Sequence, residues 1–125
     1  MNLKLMTNMV LARACLAVFG FAAGHAVAQD ATECVKLERT QHKQLCGGPN
    51  DIRVTYSNAC TRPIEVKFCL QRMDGTANCS LYPVGPGREI GVEGCKVTGK
   101  IWYQGRVLGS NMRFLNDRDI NWNQR

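Results

Sequence analysis

Cysteine recurs at positions 34, 46, 60, 69, 79 and 95 of this 125-residue chain, and that recurrence restricts the fold more than any other feature. The closest spacings are nine and ten residues, no C-x-x-C pair occurs, and His42 is the only histidine in the same stretch. Metal sites use short Cys/His spacings, so the pattern reads as three disulfides rather than zinc ligands. Disulfides persist in oxidising compartments, which moves attention to the N-terminus.

Before Asp30 the only charges are Lys4 and Arg13, both positive. The apolar run 14–23 follows, and Ala26-Val27-Ala28 precedes Gln29. These are the three parts of a secretory signal, so residues 1–28 are expected to be removed, leaving no transmembrane anchor. Cys15 opens the apolar run instead of following it, which argues against a lipoprotein anchor. The periplasm or the extracellular medium is the expected address.

Cleavage after Ala28 leaves 97 residues, enough for one domain. Of the 16 Lys+Arg, 14 remain against 10 Asp+Glu, a net charge of +4 with no basic run. Such a surface weakly favours anionic partners, but it lacks the clustered basic and aromatic residues of a nucleic-acid binder.

Residues 29–50 are polar, without clean periodicity, and end at Gly47-Gly48-Pro49-Asn50. They are expected to form an N-terminal arm, with one or two weak helical turns carried by Val35, Leu37 and Leu45, tied down by Cys34 and Cys46. The β domain is expected over residues 51–125. Ile52, Val54 and Tyr56 alternate with polar residues, as do Ile64, Val66, Phe68 and Leu70, so two half-buried strands are predicted. A three-residue loop, Met73-Asp74-Gly75, then puts glycine at the left-handed position and sets Cys69 opposite Cys79. That is a non-hydrogen-bonded pair, where the Cα atoms come close enough for a disulfide. The remaining cysteines are paired by position. Cys60 and Cys95 lie at corners and Cys34 and Cys46 in the arm, so Cys60–Cys95 and Cys34–Cys46 are expected, one of three ways to join the four.

The Gly/Pro-dense segment 82–87 reads as a loop, and Glu89–Val92 as a short strand. Lys100–Tyr103 and Arg106–Leu108 read as two strands around Gln104-Gly105. A polar tail follows from Ser110, with Phe114, Leu115, Ile120 and Trp122 as anchors. Together these predict an all-β fold: a small antiparallel β-sandwich or barrel stapled by three disulfides.

No catalytic constellation stands out, and neither a metal nor a cofactor is expected. His42 sits among Gln41, Lys43 and Gln44, as a solvated histidine would, and no nucleophile motif accompanies it. Glu89 with Glu93, and Asp117 with Asp119, are the pairs a carboxylate hydrolase would need, although acidic pairs near turns are usually solvated. If Ile101 and Tyr103 face the core, Trp102 points outward beside Lys100. With Tyr82, these make the candidate binding residues for a protein or an anionic glycan, unless the sheet is covered there and Trp102 is core. The expected function is an exported, non-enzymatic binding module. The alternatives are an inhibitor or immunity-type protein blocking an envelope enzyme, and a small carboxylate-dependent hydrolase.

Over residues 51–103 the order Asn58-x-Cys60, Pro63-Ile64-x-Val66-x-x-Cys69-Leu70, Gly75-x-x-x-Cys79, Leu81-x-Pro83, Gly85-x-Gly87 and Cys95-x-x-Thr98-Gly99 resembles small exported disulfide-rich proteins of proteobacterial type. The resemblance implies a bacterial envelope address, the hairpin and the disulfides, and it brings no catalytic residues with it.

Overall fold

The computed structural model describes residues 29–123. The signal-peptide reading of residues 1–28 lies outside the described residues. Six strands follow in order: β1 (Val35–His42), β2 (Ile52–Asn58), β3 (Ile64–Arg72), β4 (Ala77–Val84), β5 (Glu89–Gly94) and β6 (Val97–Val107). They form two antiparallel three-stranded sheets, ordered β1-β2-β5 and β4-β3-β6. The central strands β2 and β3 supply most of the core between them. Ile52, Val54 and Tyr56 meet Ile64, Val66, Phe68 and Leu70, all essentially without solvent exposure. Period-two alternation puts these residues on one face of each strand, as the sequence pattern requires. Tyr56 stacks on Phe68 with centroids 4.9 Å apart, and Phe68 stacks on Tyr103 at 6.0 Å.

The β3–β4 hairpin turns through Met73-Asp74-Gly75, with Gly75 at φ +87°. Arg72 N–H donates to the Thr76 carbonyl at 2.8 Å, and the Asp74 carboxylate accepts from both the amide and the hydroxyl of Thr76. In that register Cys69 lies opposite Cys79, their Cα atoms 4.0 Å apart and their sulfurs joined.

The other two bridges correct the positional pairing. Cys34 bonds to Cys60 and Cys46 to Cys95, so neither Cys34–Cys46 nor Cys60–Cys95 exists. The reason is that residues 35–42, within the expected disulfide-tethered arm, form strand β1, antiparallel to β2 with Val35 opposite Asn58. Cys34 and Cys60 therefore meet at one end of the sheet, where Ala59 N–H donates to the Cys34 carbonyl. Cys46 lies in the β1–β2 connection at the other end, and Gly94 opposite Ile52 brings the β5–β6 turn with Cys95 to that same end. An eight-residue strand separates the two ends by about 26 Å, beyond any disulfide. The polar sequence of 35–42 hid the strand because β1 is an edge, and only Val35 of its eight residues is buried.

Two further segments depart from the sequence reading. Tyr82, Pro83 and Val84 belong to β4, with Pro83 opposite Glu65. Proline is tolerated there because β4 is an edge strand whose outer N–H groups have no ladder partner among the described residues. In addition, β6 is one continuous strand through Gln104-Gly105. Gly105 serves close approach rather than a turn: a Cβ on it would lie 2.7 Å from the Ala31 carbonyl oxygen. Ala31 N–H donates to the Gly105 carbonyl, and Val107 N–H to the Gln29 carbonyl, so residues 29–31 lie along the edge of β6.

After β6 the chain crosses back over the outer face of the β4-β3-β6 sheet. Arg106 donates to Glu65 and to the Met112 carbonyl, and its guanidinium lies 4.3 Å from the centre of the Phe114 ring. Lys67 donates to the Leu115 carbonyl at 2.7 Å and pairs with Asp117. Gln104 accepts from Leu115 N–H, and Ile120, farther along, is buried. The tail predicted as polar is thus pinned, row by row, to outward-facing residues of β3 and β6.

Candidate functional site

In a sandwich of two three-stranded sheets, the strands at the sides decide where the interior opens. Here β1 and β6 are edge strands on the same flank, with a gap between them. The gap is a groove of about 560 Å³. Leu37 and Thr40 of β1 form one wall, residues 99–103 of β6 the other, with Thr32 and Trp122 completing it.

Strand alternation explains the lining. Leu37 lies opposite Tyr56 and Thr40 opposite Val54, so both share the core face of the first sheet. Among the described residues no strand lies beyond β1 to cover them, and Leu37 stays 41% exposed. Across the gap Ile101 lies opposite Leu70 and Tyr103 opposite Phe68, again on the core face. Trp102, opposite Cys69, points to the outer face of the second sheet, together with Lys100. The groove therefore has an apolar floor continuous with the core and an outer rim carrying an indole and an ammonium group.

The tail completes that rim. The Lys100 ammonium donates to the Asn123 side-chain oxygen at 3.2 Å, next to Trp122 in sequence. Trp102 and Trp122 are the only two tryptophans of the chain, and both line the groove. Trp102 is half-buried: the tail crosses this face without sealing the ring, so neither simple exposure nor full burial describes it.

Of the candidate binding residues, Lys100 and Trp102 are brought together here. Tyr82 is not. It lies on β4, across β3 from β6, at the opposite flank of the sandwich and 44% exposed. There its presence adds to the effect of burial on the Tyr56 hydroxyl, whose pKa is pushed well above that of an ordinary phenol, burial being the larger cause. That hydroxyl is buried with no hydrogen-bond partner among the described residues. Leu37, Thr40 and Trp122 were missed as site residues. Trp122 was visible only as an aromatic in an Asn-rich tail, and Leu37 only as an isolated leucine in polar sequence.

Three of the four acids in the candidate pairs, Glu89, Glu93 and Asp117, are engaged in surface ion pairs. Glu89 lies 3.4 Å from Arg39, Glu93 lies 3.6 Å from Arg53, and Asp117 pairs with Lys67. His42 ends β1 as an exposed residue. Cys46, Asp51 and Cys95 place ligand-type atoms within 4.8 Å of one another, but both sulfurs belong to one disulfide. The buried Asp51 carboxylate accepts from the amides of Cys46 (2.6 Å), Lys96 (3.2 Å) and Gly48 (3.3 Å). These bonds, the one from Cys46 foremost, hold its pKa below the ordinary carboxylate value against the opposing effect of burial. Asp51 is a structural acceptor that fastens the β1–β2 connection to the β5–β6 turn.

No family model matches the chain, and no curated protein or solved structure matches it.

Proposed function

We propose that the mature chain is a non-enzymatic binding module whose ligand lies in the groove between β1 and β6. Three disulfides suit an oxidising compartment outside the cytoplasm, and no helix among the described residues is long and apolar enough to cross a membrane. Within that setting, release into the periplasm or the medium is part of the proposal. The observation that carries the reading is the groove's lining: two indoles, a phenol and aliphatic side chains around a single ammonium group. Aromatic rings with one polar tip are the groups that dominate binding energy at recognition surfaces. The lining residues include no carboxylate, histidine or thiol that would serve proton transfer or nucleophilic attack.

A protein segment is the favoured ligand. An anionic glycan is the second reading, supported by Lys100 between rings on which a sugar could stack. Calorimetric titration of mature protein with sequences selected from a displayed random-dodecapeptide library, and with polyuronate oligosaccharides, tests the site. Trp122→Ala should weaken whichever ligand binds by about tenfold or more, while Tyr82→Ala on the opposite flank should leave it unchanged. Equal affinity for wild type and Trp122→Ala would place the ligand elsewhere and remove the proposal.

A further inference from the structure

The free edge of β6 is only half used. Residues 29–31 run antiparallel along its C-terminal half, with Asp30 opposite Arg106. Ala31 N–H donates to the Gly105 carbonyl at 2.9 Å and Val107 N–H to the Gln29 carbonyl at 2.8 Å. Gly105 N–H donates to the Thr32 hydroxyl at 3.1 Å, after which the chain turns away into Cys34. Ladder groups alternate along a strand, so the next outward-facing pairs on this edge are the N–H and C=O of Tyr103 and of Ile101. Among the described residues no hydrogen bond reaches any of these four groups. Beyond them the pairing shifts between Leu70 and Arg72, and Gly99 takes φ +91°, which ends the regular edge. A short open ladder is left, and its backbone groups face the groove.

We infer that this ladder docks an extended segment of a partner protein, added as a strand antiparallel to β6 in line with residues 29–31. The inference rests on the groove being the binding site. It is favoured over a purely side-chain contact because the same edge already carries a strand of this kind in the folded chain. The other edge on the groove, β1, is a poorer template, since its register is broken at Glu38. Strand addition draws affinity from main-chain hydrogen bonds and specificity from alternate side chains.

The alternation fixes what the partner presents. Its residue opposite Trp102 shares the outer rim with Trp102 and Lys100, and its two neighbours face Ile101, Tyr103 and Leu37. A carboxylate flanked by apolar residues meets both demands: the acid pairs with the Lys100 ammonium, and the flanks cover the apolar floor. The segment is therefore apolar–acidic–apolar.

The test uses full-length mature protein and the peptide best enriched from the displayed dodecapeptide library. The expected result has three parts. The enriched sequences contain the apolar–acidic–apolar triplet, the Ile101 and Tyr103 amides become protected from hydrogen exchange on binding, and Lys100→Glu weakens binding about tenfold. Ile101→Pro removes one edge donor without touching the β3 ladder, so it should weaken binding at least tenfold relative to Ile101→Val, the side-chain control. Protection of the two amides in the wild-type complex decides the matter even if Ile101→Pro misfolds. Peptides that shift the Trp102 and Trp122 indoles while leaving both amides unprotected would overturn strand addition and keep the groove as the binding site. Binding of polyuronate oligosaccharides alone would do the same. Amides protected in the free protein in a concentration-dependent way would assign the edge to a second copy of this chain and overturn the partner segment. Ligands that shift neither indole would overturn both readings.

Discussion

Tyr103 lies parallel to Phe68, with ring centroids 6.0 Å apart and 7° between their planes. Through Phe68 it continues a column that begins at Tyr56 in the sealed interior, so the inner wall of the groove is the last ring of the core stack. A stacked pair contributes about 1 kcal/mol beyond its buried area, and the wall is rigid because the core is.

Tyr56→Phe should preserve the column and remove a buried hydroxyl that has no partner among the described residues. Stability should rise by about 1 kcal/mol, since a buried unsatisfied group is costly, and groove binding should not change. Denaturant unfolding checks this, and a loss of more than about 1 kcal/mol would mean that the hydroxyl has a role in the folded core.

Peptide mapping without reduction should recover Cys34–Cys60, Cys46–Cys95 and Cys69–Cys79 as the only bridges. On the chain-entropy model, losing Cys46–Cys95 should cost about 4 kcal/mol and losing Cys69–Cys79 about 3. The order follows from the loops closed, which span 49 and 10 positions in sequence.

The Cys69–Cys79 bridge was legible in the sequence because a local turn sets it: Gly75 and the spacing around it define one register. The strands β2 and β3 were legible because they are central and carry an unbroken apolar alternation on the core face, although β2 is more than half-buried, with Thr55 and Ser57 covered on its other face. Strand β1 was not, because an edge that leaves Leu37 and Thr40 uncovered has no apolar alternation to display. Missing β1 misassigned the pairing of Cys34, Cys46, Cys60 and Cys95, and it hid the groove as well. Trp102 and Lys100 were readable as neighbours on one face. Trp122 reaches them only through the path of the tail, which is held by Arg106 and Lys67 and follows no sequence period.

Stability should fall in acid through Asp51 and Asp74, whose pKa values are both lowered in the fold. The main causes are the Cys46 amide for Asp51 and the Thr76 hydroxyl and amide for Asp74. A lowered folded value means the unfolded chain takes up protons first. The contribution is complete above the unfolded value of about 3.9 and is lost as pH falls through the lower folded values. Thermal unfolding between pH 7 and pH 2 should therefore show a decline on the acid side. Asp51→Asn should be less stable at pH 7 and show a shallower decline, and an unchanged acid limb would contradict the role given to Asp51.

Arg106→Met should free the tail. The guanidinium holds Glu65, the Met112 carbonyl and the face of Phe114 together, and its loss leaves Glu65 without its half-buried partner. A cost of about 2 kcal/mol is expected for a charged hydrogen-bond partner of this kind. Limited proteolysis should cut the variant between residues 108 and 118 well before the wild type, and equal resistance would show that other contacts hold the tail.

The groove itself is tested most directly by its two tryptophans, since Trp102 and Trp122 both line it and the chain has no others. Nitrogen-15 NMR of the mature protein gives one indole N–H signal for each. Titration with the best enriched dodecapeptide should move both signals together, saturating at the Kd found by calorimetry, while the amides around Tyr82 stay still. A peptide that binds tightly while both indole signals remain in place would contradict the assignment of the groove as the site of recognition.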